Sequence, residues 1–124
     1  QQMRIATLWG VEVSNGNGIR GLAARAARYF YGKGVSQARL TNQRPFAERH
    51  THIEYRPGSV AEAVRINSLL PRTVPVVASN NLRSGIRVRL VLGHDLQRNV
   101  VARDEQVHSR TVTAELTGMM LPNL

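Results

Sequence analysis

The chain has 124 residues, no cysteine and a formal net charge of +9. The length suits one domain, and the composition of 42% hydrophobic but only 5% aromatic residues indicates a core of mainly aliphatic side chains. The lack of cysteine excludes disulfides, thiolate nucleophiles and cysteine-based zinc sites.

The first half of the chain predicts a strand, a turn, a helix and a second strand. Residues 11–14 alternate apolar and polar side chains, as a half-buried strand does. Two Asn-Gly pairs over residues 15–18 then predict a turn. Apolar positions with helical spacing predict a helix over about residues 19–31, and two glycines end it. A second strand follows near residues 37–41.

The second half predicts a strand, a helix and two further strands. Residues 51–56 form the first of these strands. Ser59 is a candidate N-cap, and Glu62 three positions later completes the pattern of a capping box. Residues 74–77 form a short strand whose proline has no N–H to donate, so we expect it at an edge of the sheet. Residues 86–92 are the clearest strand in the chain.

Together these elements predict an α+β fold with the order β-α-β-β-α-β-β. The two halves resemble one another, as two βαβ-type units would. The connection between the second and third strands is too short for a crossover helix, so the third strand should run antiparallel. Alternation in four strands puts aliphatic side chains on one face and polar ones on the other. We therefore predict a two-layer sandwich, with two helices on one face of a mixed sheet and the other face open to water.

The predicted domain covers residues 9–96, between a lead-in over residues 1–8 and a polar tail over residues 97–124. The chain starts at Gln1 without a signal peptide, so we expect a mature or cropped fragment whose targeting segment lies elsewhere. No stretch reaches the ~20 apolar residues of a membrane-spanning helix. The tail is expected to be extended or docked on a partner. Its candidate docking residues are apolar: Met119, Met120, Leu121 and Leu124.

Residues 16–21 match the pattern G-x-G-x-x-G between a strand and a helix, which is typical of dinucleotide-binding sites. Such a site also needs an acidic residue about twenty positions further on, and the second strand ends without one. We therefore interpret Asn15, Gly16, Gly18 and Gly21 as a structural turn that uses positive φ angles. A weaker alternative is that the backbone N–H groups at this helix start hold an anion.

No combination of residues predicts catalysis, a metal site or a cofactor. The serines lack a nucleophile elbow, and two histidines two positions apart make a poor zinc site. The basic side chains of the open face are the candidate binding residues: Arg39, Arg56, Arg87, Arg89 and His52. The alternative is a solvated face on which arginines pair with glutamates across strands. The predicted face has no aromatic side chain for base stacking, which argues against an RNA reader.

Three stretches resemble the LytR C-terminal domain family of bacterial envelope proteins. The first runs from Val11 to Gly18 and continues with Gly21-Leu22-Ala23-Ala24-Arg25; the second is Tyr55-Arg56-Pro57-Gly58, with two alanines in the helix behind it. The third is Val88 to Asp95, which resembles the family's closing strand and its Gly-x-Asp end. The resemblance covers about residues 9–96. It implies no catalytic residues, and we interpret the opening turn, Gly93 and Asp95 as structural.

The resemblance also implies a setting for the chain. Domains of this family follow catalytic domains in envelope glycan-transfer proteins, or tetratricopeptide repeats in exported proteins, some of them linked to pilus or secretion loci. Arginine-rich charge favours anionic partners, although an arginine bias of a GC-rich genome would explain the composition equally well. We therefore expect a bacterial protein in the envelope, periplasmic or exported, that is not an enzyme.

Three functional hypotheses follow. The chain is a non-catalytic accessory domain that binds an anionic glycan, such as peptidoglycan, or an envelope protein. Alternatively, it is a structural subunit of a pilus or secretion complex that docks through its tail as part of a larger assembly. The least favoured hypothesis is binding of nucleic acid through charge.

Overall fold

The computed structural model describes residues 7–95 of the chain. It contains two helices and a five-stranded mixed sheet in the predicted order, which confirms the α+β fold. The element bounds are β1 Val11–Asn15, α1 Leu22–Phe30, β2 Arg39–Asn42, β3 His52–Tyr55, α2 Val60–Leu69, β4 Val76–Ala78 and β5 Val88–Leu92.

The strands lie in the order β2-β1-β5-β3-β4. Strands β1 and β2 are parallel neighbours joined by α1, and β3 and β4 are parallel neighbours joined by α2, so the predicted pair of βαβ units is confirmed. The last strand, β5, lies between the units, parallel to β1 and antiparallel to β3. The third strand thus runs in the predicted direction, and β4 forms an edge of the sheet, as Pro75 indicated.

Both helices pack on the same face of the sheet. In α1 the buried residues are Leu22, Ala23, Ala26 and Phe30, which recur with the spacing of one helical face. Strands β1, β3 and β5 contribute one row of alternate aliphatic side chains to the same cluster, as predicted, whereas Leu40 of the edge strand β2 is 47% exposed. The buried members from strands and α2 are Val11, Val13, Ile53, Ala63, Ile66, Val88, Leu90 and Leu92.

The start of α2 differs from the prediction. Ser59 occupies the N-cap position, but its side chain makes no capping hydrogen bond. Glu62 forms an ion pair with Arg87 instead of turning back to the helix start. The predicted capping box is therefore wrong, because a carboxylate that can pair with a guanidinium gains a stronger, charge-assisted hydrogen bond.

The face of the sheet opposite the helices is called the outer face below. No helix of residues 7–95 lies on it, but its centre is not fully open. The connection from β4 to β5 folds against it, since Arg83 in this connection reaches the outer-face carboxylate of Glu12. Leu82 and Ile86 of the connection are buried. Part of the face that was predicted to be exposed to water is therefore covered by the connection between β4 and β5.

Candidate functional site

The strand register aligns four charged residues in one row across the outer face. Glu12 of β1 lies beside Arg39 of β2 on one side and beside Arg89 of β5 on the other. Arg89 in turn lies beside Glu54 of β3. The row therefore alternates in charge from β2 to β3, and neighbours of opposite charge on adjacent strands stabilise a sheet. This is the cross-strand pairing that the sequence left open as the alternative to a binding face.

Three side chains of the outer face form one hydrogen-bonded cluster around Glu54. The Nε and a terminal nitrogen of Arg89 donate to Oε1 of Glu54 at 2.9 and 2.6 Å. The Nε2 atom of His52 lies 2.9 Å from the other carboxylate oxygen. The cluster is mostly shielded, since all three side chains are between 15% and 21% exposed. Two cations thus share one carboxylate.

The surroundings of His52 favour its charged form. The second ring nitrogen, Nδ1, lies 3.0 Å from the backbone oxygen of His50, so both nitrogens face hydrogen-bond acceptors. Only the imidazolium donates from both nitrogens. The hydrogen bond with Glu54 is the main cause that raises the pKa of His52. The same bond, followed by Arg89, lowers the pKa of Glu54.

Glu12 is a fully buried carboxylate on the outer face. The Thr41 hydroxyl donates to its Oε2 at 2.6 Å, and Arg83 donates to the same oxygen at 3.2 Å. The other oxygen, Oε1, has no hydrogen-bond partner within residues 7–95. The arginine that covers Glu12 therefore comes from the connection before β5, which carries no periodic pattern that would have predicted the contact.

Arg56, one of the five predicted binding residues, uses its guanidinium group within the fold. Arg56 donates to the backbone oxygens of Leu82, Arg83 and Ile86, at 3.3, 2.8 and 3.0 Å. These bonds hold the covering connection in place. Arg56 therefore lies on the outer face as predicted, but its donors already have acceptors.

Arg87 was predicted to point to the outer face, and this prediction was wrong. The N–H groups of Arg87 and Val88 both donate to the backbone oxygen of Gly10, at 2.7 and 3.2 Å. Two residues thus face one partner, and this irregularity ends the simple alternation of side chains. The Arg87 guanidinium pairs with Glu62 of α2 and stacks over the ring of Trp9.

Arg39 is the predicted binding residue that stays available. It lies in the edge strand β2, is exposed, and makes no ion pair within residues 7–95. Several other arginines of the described residues are also exposed and make no ion pair within that part of the chain. They are Arg20, Arg28, Arg44, Arg49 and Arg72.

The predicted structural turn after β1 is closed by its asparagine side chains. Oδ1 of Asn15 accepts the N–H groups of Asn17 and Gly18, both at 3.1 Å. Oδ1 of Asn17 accepts the N–H of Ile19 at 2.9 Å. The N–H groups of Asn17, Gly18 and Ile19 are therefore already bonded within the turn. Gly18 and Gly21 have the expected positive φ angles, of 88° and 78°.

Gly16 serves close packing rather than a positive φ angle. A Cβ at this position would lie 2.6 Å from the Cγ of Glu48 and 2.9 Å from the backbone oxygen of Leu92. The segment between β2 and β3 thus passes directly over the turn, and its Glu48 N–H donates to the Gly16 oxygen at 3.1 Å. The glycine allows this approach because it has no side chain.

The closing Gly93-x-Asp95 motif meets the opening turn through side chains from both sides. The Asn17 amide donates to the backbone oxygen of Gly93 at 3.0 Å. On the other side, the Gly93 N–H donates to the hydroxyl of Thr51 at 2.9 Å, and this hydroxyl donates to Asp95 at 2.7 Å. Sequence reasoning missed Thr51, because its partners lie more than forty positions away and no local pattern connects them.

The described part of the chain contains neither a candidate metal-binding cluster nor a candidate membrane-spanning helix. Within residues 7–95, no group of three His, Cys, Asp or Glu side chains could hold a metal ion. The same part of the chain has no helix long and apolar enough to cross a membrane. The candidate docking residues Met119, Met120, Leu121 and Leu124 lie outside the described residues. Assembly through the tail therefore stays a prediction.

Comparison with known proteins gives two matches and one negative result. A family profile described as the LytR cell envelope-related transcriptional attenuator matches residues 10–96. A solved structure, the soluble domain of a conserved hypothetical secreted protein from Mycobacterium marinum, is 25% identical with a TM-score of 0.52. The alignment covers 73% of this chain and 65% of that one, so the chain spans slightly less than two thirds of that solved domain. Comparison with curated proteins gives no match.

Proposed function

Because the chain belongs to the LytR C-terminal domain family, a family of the cell envelope, we propose that it is a non-catalytic accessory domain that binds an anionic envelope glycan. It would act in the periplasm or outside the cell. The secreted nature of the similar protein from Mycobacterium marinum supports this location. The ligand would be a polymer of the peptidoglycan type, whose carboxylates are spaced along a chain.

The uneven distribution of partners among charged side chains supports an anionic ligand. The five described carboxylates, of Glu12, Glu48, Glu54, Glu62 and Asp95, all have hydrogen-bond partners inside the fold. Exposed arginines without an ion pair remain, and Arg39 stands at the end of the charged row on the outer face. Arginine binds carboxylates with two parallel hydrogen bonds, so the unpaired guanidinium groups favour an acidic polymer.

The positive field of the outer face supports the same ligand. Arg89 and His52 share the single carboxylate of Glu54, and Arg83 covers Glu12. With Arg39 and a charged His52, cations outnumber carboxylates on this face. A local excess of positive charge raises the concentration of an anionic polymer at the surface and its rate of association.

The test is sedimentation of the protein with purified peptidoglycan sacculi. Arg39→Glu should reduce the sedimented fraction severalfold, because it replaces the unpaired cation of the row with an anion. The matched control is Arg72→Glu, an equal change of charge at another exposed arginine, in the connection between α2 and β4. The control should sediment almost as the parent protein does. Equal sedimentation of both variants and the parent would reject this surface as the glycan site.

Reversing the charge of Arg87 or Arg89 would be a poor test of binding. A glutamate at either position would face Glu62 or Glu54 in place of an ion pair. Two partly buried carboxylates at such distances repel each other, and the fold itself would lose stability. Arg39 gives a clearer test, because it makes no ion pair within residues 7–95 and its neighbour in the row, Glu12, pairs with Arg83 instead.

A further inference from the structure

The two helices present a second surface, on the side of the molecule opposite the charged row. Hydrogen bonds join the helices into one layer. The Tyr29 hydroxyl of α1 donates to the backbone oxygen of Leu69 in α2 at 2.8 Å, and Arg65 of α2 donates to the backbone oxygen of Gly34, just after α1, at 3.3 Å. The sides of α1 and α2 that point away from the sheet therefore belong to one surface, which is called the helix surface below.

The part of the helix surface that α2 contributes is uncharged and largely apolar. The buried residues of α2 lie on one side of the helix, and the exposed residues lie on the other. Val60 and Val64 are one turn apart and are 50% and 57% exposed. The full exposed set of α2 is Val60, Ala61, Val64 and Ser68. This helix thus turns an apolar strip toward water.

The part that α1 contributes is basic. Arg28 is exposed on the side of α1 away from its buried residues, and the exposed Arg20 directly precedes the helix. Neither arginine forms an ion pair within residues 7–95. Tyr31 follows the last residue of α1 and is 79% exposed. Two available guanidinium groups and a large aromatic ring therefore accompany the valines of α2.

The helix surface has no carboxylate to neutralise these arginines. Among the carboxylates of the described residues, only Glu62 belongs to a helix, and it pairs with Arg87. Glu12 and Glu54 lie on the outer face, on the far side of the sheet. The field over the helices is therefore positive, which attracts an anionic partner.

From this combination we infer that the helix surface binds a bilayer that contains anionic lipids. A bilayer offers two chemistries at one boundary, because the lipid phosphates accept hydrogen bonds from guanidinium groups and acyl chains lie just below them for apolar side chains. Tyr31 suits the same boundary, since tyrosine combines an apolar ring with a polar hydroxyl and is enriched at membrane–water interfaces. A soluble acidic ligand would use the arginines but would leave Val60 and Val64 exposed to water.

Binding through the helix surface also sets the orientation of the domain. Arg39 and the charged row lie on the opposite face of the sheet, so they point away from the bilayer and toward a wall polymer. Only this consequence rests on the proposed function. The binding of lipid itself requires no glycan.

Sedimentation of the whole chain with lipid vesicles tests the inference. The probe is a vesicle of phosphatidylglycerol mixed with phosphatidylcholine, and a vesicle of phosphatidylcholine alone is the comparison. We expect binding to the mixed vesicle at low salt and little binding to the neutral one, because each arginine near an anionic surface raises the affinity about fivefold. No sedimentation with the mixed vesicles would overturn the inference.

Val64→Ser tests the apolar contact without changing any charge. It should weaken binding to the mixed vesicles about fivefold, since valine would no longer be withdrawn from water. Val77→Ser is the matched control, at a valine of β4 that is 43% exposed, and it should bind as the parent does. Tyr31→Ser, outside both helices, is a second variant that should also weaken binding if Val64→Ser disturbs α2. Unchanged binding of both Val64→Ser and Tyr31→Ser would mean that charge alone attracts the protein, as it would to an acidic protein, and would overturn the inference.

A pair of charge reversals separates this surface from the glycan site. Arg28→Glu should weaken vesicle binding at least about fivefold, and Arg39→Glu, the same change on the outer face, should weaken it much less. Sedimentation with sacculi should show the opposite order. Equal effects of the two variants on vesicle binding would refute the helix surface as the site. Arg39-dependent sedimentation with sacculi but no vesicle binding would reject this inference alone, and Arg28-dependent vesicle binding without it would reject only the glycan site.

Discussion

Thr51→Val tests the contact that joins the two ends of the domain. Thr51 is buried, and its hydroxyl accepts the N–H of Gly93 at 2.9 Å while donating to Asp95 at 2.7 Å. Valine has nearly the same shape but neither hydrogen bond. The buried Gly93 N–H then loses its acceptor, which costs about 1–3 kcal/mol, and a hydrogen bond to a charged group is lost, which costs about 1.5–3 kcal/mol.

The Thr51 N–H still donates to Asp95 at 2.9 Å, so part of the contact survives and the expected loss is about 2–4 kcal/mol. For a domain of this size, that corresponds to a fall in melting temperature of at least about 8 °C. Urea unfolding followed by far-UV circular dichroism measures the change. Thr73→Val, at an exposed position, is the matched control and should change stability by less than about 0.5 kcal/mol. A loss for Thr51→Val as small as that of the control would refute the reasoning.

Three further predictions concern the same fold. Gly93→Ala should lower the free energy of unfolding by about 1–3 kcal/mol, because its Cβ would lie 2.5 Å from the backbone carbonyl carbon of His50. An unchanged midpoint of urea unfolding would contradict this close approach. Asn17→Ala should cost about 1–2 kcal/mol through two lost hydrogen bonds, whereas the exposed Asn80→Ala should cost almost nothing in the same assay. His52→Gln should change how stability depends on pH. The raised pKa of His52 stabilises the fold below pH 6.5, and this contribution is lost as the pH rises through the pKa of His52 in the folded protein. The lowered pKa of Glu54 stabilises the fold above pH 4.5, and this contribution is lost as the pH falls through the pKa of Glu54 in the folded protein. The pair should therefore contribute most between these two values, and a series of urea titrations that gives parallel curves for parent and variant would contradict this.

The elements that the sequence predicted correctly are those whose signal repeats along the chain. Strand alternation identified the aliphatic row that packs under the helices, and helical spacing identified the buried side of α1. Pro75 placed the short strand β4 at an edge, because its nitrogen cannot join a ladder of hydrogen bonds. Each of these features depends on side chains within one element, so a single sequence contains enough information to predict it.

The errors concern side chains whose partners come from distant parts of the chain. Arg87 leaves the expected face because the start of β5 is irregular opposite Gly10, and alternation assumes a regular strand. Glu62 prefers this same arginine to the backbone of its own helix. The burial of Glu12 depends on Arg83, in a connection whose path no periodic pattern indicates. These contacts form only when β5 takes its place in the sheet, so local patterns could not reveal them.

The position of β5 also explains why the opening turn and the closing motif work as one unit. Strands β1 and β3 are not neighbours, and β5 supplies the backbone hydrogen bonds that join the two βαβ units into one sheet. Because β5 runs parallel to β1, the C-terminal ends of both strands lie side by side, and Gly16 and Gly93 allow the backbone to pass closely there. The Asn17 amide then reaches Gly93 across 76 positions of sequence. A chain that ends before β5 would have two small units and no sheet between them, so the outer face as a whole would not form.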